Sequence, residues 1–321
     1  MPGSLKNMLL ALATQDIGQT YHDESLADHC SWRIGGPADL LVEPVSIAQI
    51  ITLISYTHKH QIPLVVIGQG TNLLFDDAGL RGVALKLGSA FSRIHIDGNI
   101  ISAEAGAWVP QLARLAMRAG LAGLEHCIGI PGTLGGLVLM NGGSQRKGIG
   151  ENIRRVWLVD STGRLQIRSQ AECDFAYRSS VLQGEAVVVV KAELECAAGE
   201  LATIRREMVC DLRERRRKFP RKTPNCGSVF LSTSKMHTSV GPPGQIIEAA
   251  GLKGLRCGAA EVSQQHANFI LNTGGASSAD VLALIAHIRR IVLDQIGFDL
   301  HCEVRYVSPQ GVVMPADQAQ K

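Results

Sequence analysis

Apolar residues recur at helical spacing at Ile47, Ile50, Ile51 and Ile54, directly after Ser46, and predict a helix with a serine cap. Just upstream, residues 40–43 stop at Pro44 and read as a strand. Pro63 and the apolar run 64–67 predict a buried strand that enters the glycine turn 68–70. Further strands are expected at 83–87, 94–96 and 100–103, the last two joined through the hairpin signal Asp97-Gly98-Asn99. A helix over 110–119 has proline at its start and Gly120 at its end. Residues 128–150 hold too much glycine for regular structure. Beyond them, 156–160 and 165–168 form a second hairpin, and 187–194 is a buried strand. Helices follow at 201–218, strongly basic and stopped by Pro220, at 244–250, and at 278–296 with Ser277 or Ser278 as cap. A closing strand spans 300–307. The mixture predicts an α+β class, with a mixed first half and a separate last third.

A length of 321 residues suits two or three packed units. Hydrophobic residues at 45% and charged residues at 19% supply a core and exclude a disordered chain. The net charge of +3 is no overall signature of nucleic-acid binding. Seven basic residues do crowd into 213–222, as a solvated helix face or a nucleic-acid patch would, but interleaved aromatics are missing. With 34 glycines and only 4% aromatics, many tight backbone approaches are expected, as when a loop lies against a cofactor.

The eight cysteines show no CxxC spacing, so neither a zinc knuckle nor a thioredoxin-like pair is indicated and no metal is expected. The longest apolar runs are strand-sized, far below the roughly 20 residues of a membrane span. Residues 1–12 carry a single lysine and no small-residue cleavage site. Unpaired thiols without an export signal point to a reducing compartment, so a cytoplasmic protein without membrane insertion is expected.

Two glycine-rich loops stand out. Gly68-Gln69-Gly70-Thr71-Asn72-Leu73 follows a strand, as an anion-binding turn should, because glycine lets backbone N–H groups converge on a phosphate. It lacks the Gly-Lys-Ser/Thr of a Walker loop and the third glycine of a Rossmann fingerprint. An ordinary tight turn is its other reading. The second loop, Ile128-Gly129-Ile130-Pro131-Gly132-Thr133-Leu134-Gly135-Gly136, runs on toward Asn141-Gly142-Gly143. It reads either as backbone pressed against an extended ligand or as a close-packed bend. Two such loops favour a ligand with a pyrophosphate and a long body.

These loops belong to an ordered series of motifs. Trp32-Arg33-Ile34-Gly35-Gly36-Pro37-Ala38, the two glycine loops, Tyr177-Arg178-Ser179-Ser180, Cys226-Gly227-Ser228-Val229-Phe230, residues 247–254, Val262-Ser263, His266-Ala267-Asn268-Phe269-Ile270 and Glu303-Val304 follow in turn. In that order they resemble the UDP-N-acetylenolpyruvoylglucosamine reductases over residues 30–307. The resemblance implies a vanillyl-alcohol-oxidase-type (PCMH) FAD-binding domain and a smaller α+β domain over the substrate. It also implies FAD, expected to be non-covalent, NADPH as reductant, and a nucleotide-sugar substrate of peptidoglycan synthesis; no nucleic-acid partner is expected, and the oligomeric state is left open with a monomer favoured. The expected division is a helical segment at 1–29, a flavin domain at 30–198 (two subdomains, 30–97 and 98–198), a substrate domain at 199–307 and a tail at 308–321.

By the same resemblance, Arg178, Ser228 and Glu303 are the catalytic residues. Hydride delivery to the alkene places negative charge on the neighbouring carbon, and Arg178 with Glu303 would stabilise the resulting enol while Ser228 returns a proton. FAD contacts would come from Arg33, Gly68, Gly70, Thr71, Asn72, Leu73, Ile130, Pro131, Gly132, Thr133, Gly135 and Asn141. Substrate contacts would come from Lys218, Arg217, Tyr177 and His266. Two segments depart from the family pattern: Leu231-Ser232-Thr233 replaces Lys-Asn-Pro, and 144–147 makes a more basic loop. No tyrosine-bearing insertion is evident, as in the family's shorter, open-cleft type. The alternatives are a family member recruited to another nucleotide-linked or enoyl substrate, or a non-catalytic flavin-binding module.

Overall fold

In the computed structural model, which describes residues 4–319, the Ser46 hydroxyl accepts from the Gln49 amide at 3.2 Å and starts the helix Ile47–Lys59. The expected strand after it is Leu64–Ile67, paired in parallel with Leu80–Lys86 through Leu64↔Val83 to Ile67↔Lys86. Residues 68–79, which include the strand Leu73–Phe75, connect this parallel pair. The Gly98-Asn99 turn joins Ile94–Asp97 to Ile100–Glu104, with Asp97 opposite Ile100 and Gly98 at φ 56°.

The chain divides into two compact units that do not follow its order. The first comprises residues 1–22, 40–69 and 82–215; the second comprises 23–39, 70–81 and 216–321. The first is built on a five-stranded sheet in the order Leu165–Ser169, Ile153–Asp160, Val187–Glu195, Ile100–Glu104, Ile94–Asp97, antiparallel throughout. One apolar core fills this unit, from Leu9 and Leu12 through Val156, Leu158 and Val190 to Ile204 and Met208. In the second unit, Arg256–Cys257, Ala260–Val262 and Ile270–Asn272 form a sheet against the helix Ser278–Ile296. That helix buries Val281, Leu284, Ile285, Ile288 and Val292 and is capped by the Ser277 side chain, which accepts from Asp280 N. A second small sheet pairs Arg305–Val307 in parallel with Leu73–Phe75 and antiparallel with Val313–Pro315.

The α+β class and the basic helix Leu201–Lys218 agree with expectation. Several boundaries differ. Among the described residues up to 29, the α-helix Leu5–Ala13 is followed by a strand, Gln19–Ser25, and a short 3-10 helix, Leu26–His29. Contacts divide the units at Arg215/Arg216, inside the basic helix, because Ile204 and Met208 pack into the first unit's core. The glycine-rich stretch 128–150 contains a helix, Leu134–Leu139, which buries Leu134, Leu137 and Val138. The expected closing strand is broken: Arg305–Val307 is a strand, Cys302 makes an isolated bridge to Phe230, and Glu303 lies in a bend between them. The tail at 308–319 is ordered, since Asp317 accepts from the Cys302 amide at 2.8 Å and Ala316 is buried.

Candidate active site

The two glycine loops meet inside the first unit. A Cβ on Gly68 would lie 2.4 Å from Thr133 Oγ1, so glycine is required for the two loops to approach this closely. Ile130, Pro131 and Gly132 form a tight turn in which the Gly132 amide donates to Ile130 O at 2.9 Å. Gly135 lies against the unit's own sheet: its amide donates to Ala105 O at 2.8 Å, and a Cβ would meet Ala105 Cβ at 2.9 Å. In the second unit, Gly70 takes φ 59°, and a Cβ there would collide with His29 O at 2.0 Å. Among the described residues, the backbone N–H groups of 69–72 donate to no protein acceptor. Converging glycine loops and unpaired turn amides suit a phosphate-bearing cofactor such as FAD. Arg33 is exposed, with φ 56°.

Arg178 stands on a turn in which Ala176 and Ser179 exchange amide–carbonyl hydrogen bonds of 2.9 and 3.0 Å. Its own φ is 54°, a left-handed conformation that costs a non-glycine residue of order 1 kcal/mol. Asn141 holds the turn in place. Its Nδ2 donates to Ala176 O at 2.7 Å, while its Oδ1 accepts from the Gly150 amide at 2.9 Å. This places Asn141, expected at the flavin, under Arg178. Arg178 Nη2 donates to Gly143 O at 2.9 Å, and the guanidinium lies over the Tyr177 ring at 5.5 Å from its centroid. A cavity of about 440 Å³ opens here, lined by Asn141, Arg146, Lys147, Gln170, Tyr177 and Arg178, so the basic loop that departs from the family pattern faces it.

Sequence reasoning passed over Arg215. Its stem lies under Gly129, where a Cβ would come 2.3 Å from Arg215 Cδ. Burial first, and then the charge of Arg178, push the Arg215 guanidinium below its usual value. The repulsion between the two guanidinium groups is of the kind that a bound anion relieves. Spacing within the run Arg215-Arg216-Arg217-Lys218 did not single it out; only the close approach to Gly129 does.

In the second unit, Ser228 and Glu303 are brought together across the chain. The Glu303 amide donates to Val229 O at 2.8 Å, which sets the residue after Ser228 beside Glu303. Asn268, quoted in its motif but given no role, is the clamp. Its Oδ1 accepts from the Phe230 amide and its Nδ2 donates to Phe230 O, both at 2.9 Å, and its carbonyl accepts from the Val229 amide at 2.9 Å. Asn72 performs the matching task on the other side. Its Nδ2 donates to Glu303 O at 3.0 Å, and its carbonyl accepts from the Arg305 amide at 3.0 Å. The Asn72 side chain is therefore committed to the glutamate segment, and its backbone N–H is what remains for a cofactor. Leu73 opens the strand beside it, and Thr71 is half-buried.

His266 sits in an aromatic cluster, 5.2 Å from the Phe219 centroid and 5.1 Å from that of Phe269. Its Nδ1 accepts from the Asn268 amide at 3.3 Å. Burial, with the charges of Lys218 and Lys253 adding, pushes its imidazole below the usual value, so it is neutral at pH 7. Lys218 and Arg217 have exposed side chains, and the Arg217 carbonyl accepts from Gln265 Nε2 at 3.0 Å. Among the described residues, no three His, Cys, Asp or Glu side chains converge as for a metal ion, and no helix is long and apolar enough to cross a membrane.

Comparison with known proteins agrees with this geometry. Residues 38–168 match a family described as FAD binding domain. Residues 219–307 match the C-terminal domain of UDP-N-acetylenolpyruvoylglucosamine reductase. The chain is 47% identical to UDP-N-acetylenolpyruvoylglucosamine reductase 1 of Corynebacterium glutamicum, over 92% of this chain and 88% of the relative. It is 43% identical to the reductase of Heliobacterium modesticaldum, over 93% and 94%. A crystal structure of the UDP-N-acetylenolpyruvylglucosamine reductase from Thermus caldophilus superposes with a TM-score of 0.75 at 29% identity, covering 90% of this chain and 98% of that one. With so much identity along nearly its whole length, the chain belongs to the UDP-N-acetylenolpyruvoylglucosamine reductase family.

Proposed function

We propose that the protein reduces UDP-N-acetylglucosamine enolpyruvate to UDP-N-acetylmuramate, with NADPH as electron donor and non-covalent FAD as carrier. It would act as a cytoplasmic monomer in peptidoglycan synthesis. The observation that carries this reading is the pairing of Glu303 with the Ser228 segment through the 2.8 Å bond to Val229 O, across some seventy residues of chain. FAD, when bound, supplies a hydride acceptor for NADPH and a hydride donor for the alkene. The amides of 69–72 and the loop 130–135 would hold its phosphates and ribityl chain. Arg178, with Arg215 beside it, would bind the enolpyruvyl carboxylate and stabilise charge as it moves there. Glu303 would hydrogen-bond the enol, and the Ser228 hydroxyl would deliver a proton to the carbon next to the carboxylate. A serine hydroxyl is a weak acid, so this transfer depends on its fixed position against a strongly basic carbon. Lys218 and Arg217 would meet the diphosphate, and Tyr177 and His266 would border the sugar nucleotide.

The test is anaerobic. Protein reduced with NADPH is mixed with the UDP-linked enolpyruvyl sugar while flavin absorbance is followed. The reading predicts rapid reoxidation with formation of the muramate. Failure at saturating substrate, with flavin reduction by NADPH intact, would favour a family member recruited to another enoyl substrate.

A further inference from the structure

We propose that Cys30 and Cys226 form an oxidative modification site, a dithiol that a peroxide converts reversibly into a disulfide. The two residues are 196 positions apart in the sequence, yet both sulfurs lie within hydrogen-bond distance of the same oxygen, Leu73 O, Cys30 at 3.1 Å and Cys226 at 3.3 Å. Cys226 also reaches Gly70 O at 3.5 Å. Both sulfurs are buried and reduced, and both belong to the second unit. Two sulfurs within reach of one oxygen and of each other are neighbours, the first condition for an S–S bond of about 2.05 Å. The Cys226 thiol hydrogen-bonds Cys30 and holds the Cys30 thiol below its usual value, while burial pushes Cys226 up. One thiolate-prone sulfur beside a protonated one is the division of labour that oxidation requires.

The chemistry closes with peroxide alone. The Cys30 thiolate attacks one peroxide oxygen, the O–O bond breaks, and hydroxide leaves a sulfenic acid on Cys30. The Cys226 sulfur then attacks the Cys30 sulfur, the S–O bond breaks, and the proton released from Cys226 leaves with the oxygen as water. Two electrons pass from the sulfurs to the peroxide, and an external dithiol reverses the change. Peroxide is also what a reduced flavin yields on meeting oxygen, so a flavoprotein generates this oxidant itself.

The position gives the bond a consequence. Both acceptor carbonyls, Gly70 O and Leu73 O, belong to the first glycine turn, and the Ser31 amide beside Cys30 donates to Gly70 O at 3.1 Å. Cys226 precedes Ser228 by one glycine, Gly227, whose φ is 78°. Joining the sulfurs leaves no thiol hydrogen for Leu73 O and pulls on the turn and on the Ser228 segment together.

The FAD-loaded protein is treated with hydrogen peroxide, alkylated, and mapped by mass spectrometry without reduction. The proposal predicts a peptide linking Cys30 to Cys226, lighter by two hydrogens than the separate thiols. It also predicts loss of flavin reoxidation in proportion to the linked fraction, and recovery of both with dithiothreitol. Cys196, whose thiol burial pushes up to about 11, serves as an internal control and stays unlinked. Cys30→Ser should retain its own untreated activity through the same exposure, with exposed Cys210 replaced by serine in both backgrounds. Inactivation without the linked peptide, or the linked peptide with unchanged activity, would overturn the proposal. If Cys30→Ser does not fold, the mapping of the wild type decides alone, and that readout does not depend on the identity of the substrate.

Discussion

Arg178 stands on a four-residue turn with its own backbone at φ 54°, whereas Ser228 and Glu303 lie in irregular segments pinned to each other through amide and carbonyl groups. An asparagine supports each: Asn141 under the Arg178 turn, Asn268 behind Ser228, Asn72 against Glu303. The difference lies in where strain resides. The arginine is held in a conformation it would not choose, by a side-chain clamp and two turn hydrogen bonds. The serine and glutamate are part of a backbone network whose loss exposes buried polar groups. Losing the arginine should therefore cost function and little stability, while losing the clamp behind the serine should cost both.

Among changes at the arginine and the three asparagines, Arg178→Gly gives the largest expected effect on rate. Glycine relieves about 1 kcal/mol of left-handed strain, which roughly offsets the lost bond to Gly143 O. Thermal unfolding should move little, while flavin reoxidation by substrate falls by about 10²–10³, as for loss of a charge-stabilising donor. A large stability loss with intact turnover would erase the contrast.

Asn268→Ala comes next, and here stability leads. The Phe230 amide and carbonyl are left buried and unpaired, a loss of about 2–4 kcal/mol by the usual cost of such groups. Urea unfolding measures it, and a change below about 1 kcal/mol would mean that water or a neighbour replaces the clamp. Asn72→Ala sharpens the comparison further. It should retain FAD and its reduction by NADPH, while reoxidation by substrate falls about tenfold, the equivalent of one hydrogen bond to the Glu303 segment. Loss of flavin instead would return Asn72's side chain to the cofactor.

The smallest effect lies far from the site, in the turn after the strand Ile153–Asp160. Hydrogen bonds from the Thr162 hydroxyl and the Arg164 amide hold Asp160 down to about 2. Its folded value lies below the unfolded value of about 3.9, so its stabilising contribution is full above that pH and is lost as pH falls toward 2. Asp160→Asn should be slightly less stable at pH 7, with the gap closing in acid. A gap independent of pH would assign the effect to shape and not to charge.

Local signals made much of this legible. Ser46 and Ser277 as caps and Pro220 as a stop fix helices that the structure places at Ile47–Lys59, Leu201–Lys218 and Ser278–Ile296. The glycine loops were visible because glycine announces close approach. The helix Leu134–Leu139 was hidden by the same glycines, which permit packing on Ala105 as readily as on a ligand. The left-handed Arg178 was invisible, since arginine carries no signal for positive φ. The asparagine clamps were not legible because their partners are backbone groups up to 231 residues distant, as between Asn72 and Glu303. A motif names the residues that do chemistry more readily than those that hold them.

The most direct test of the account is Ser228→Ala, read in the two half-reactions separately. Flavin reduction by NADPH should proceed at nearly the wild-type rate, because a proton donor to the substrate carbon is not needed in that half-reaction. Reoxidation by the enolpyruvyl substrate should slow by about 10²–10⁴, the usual loss on removing a general acid. Equal slowing of both halves would contradict the assignment and leave Ser228 a structural residue of the turn after Gly227.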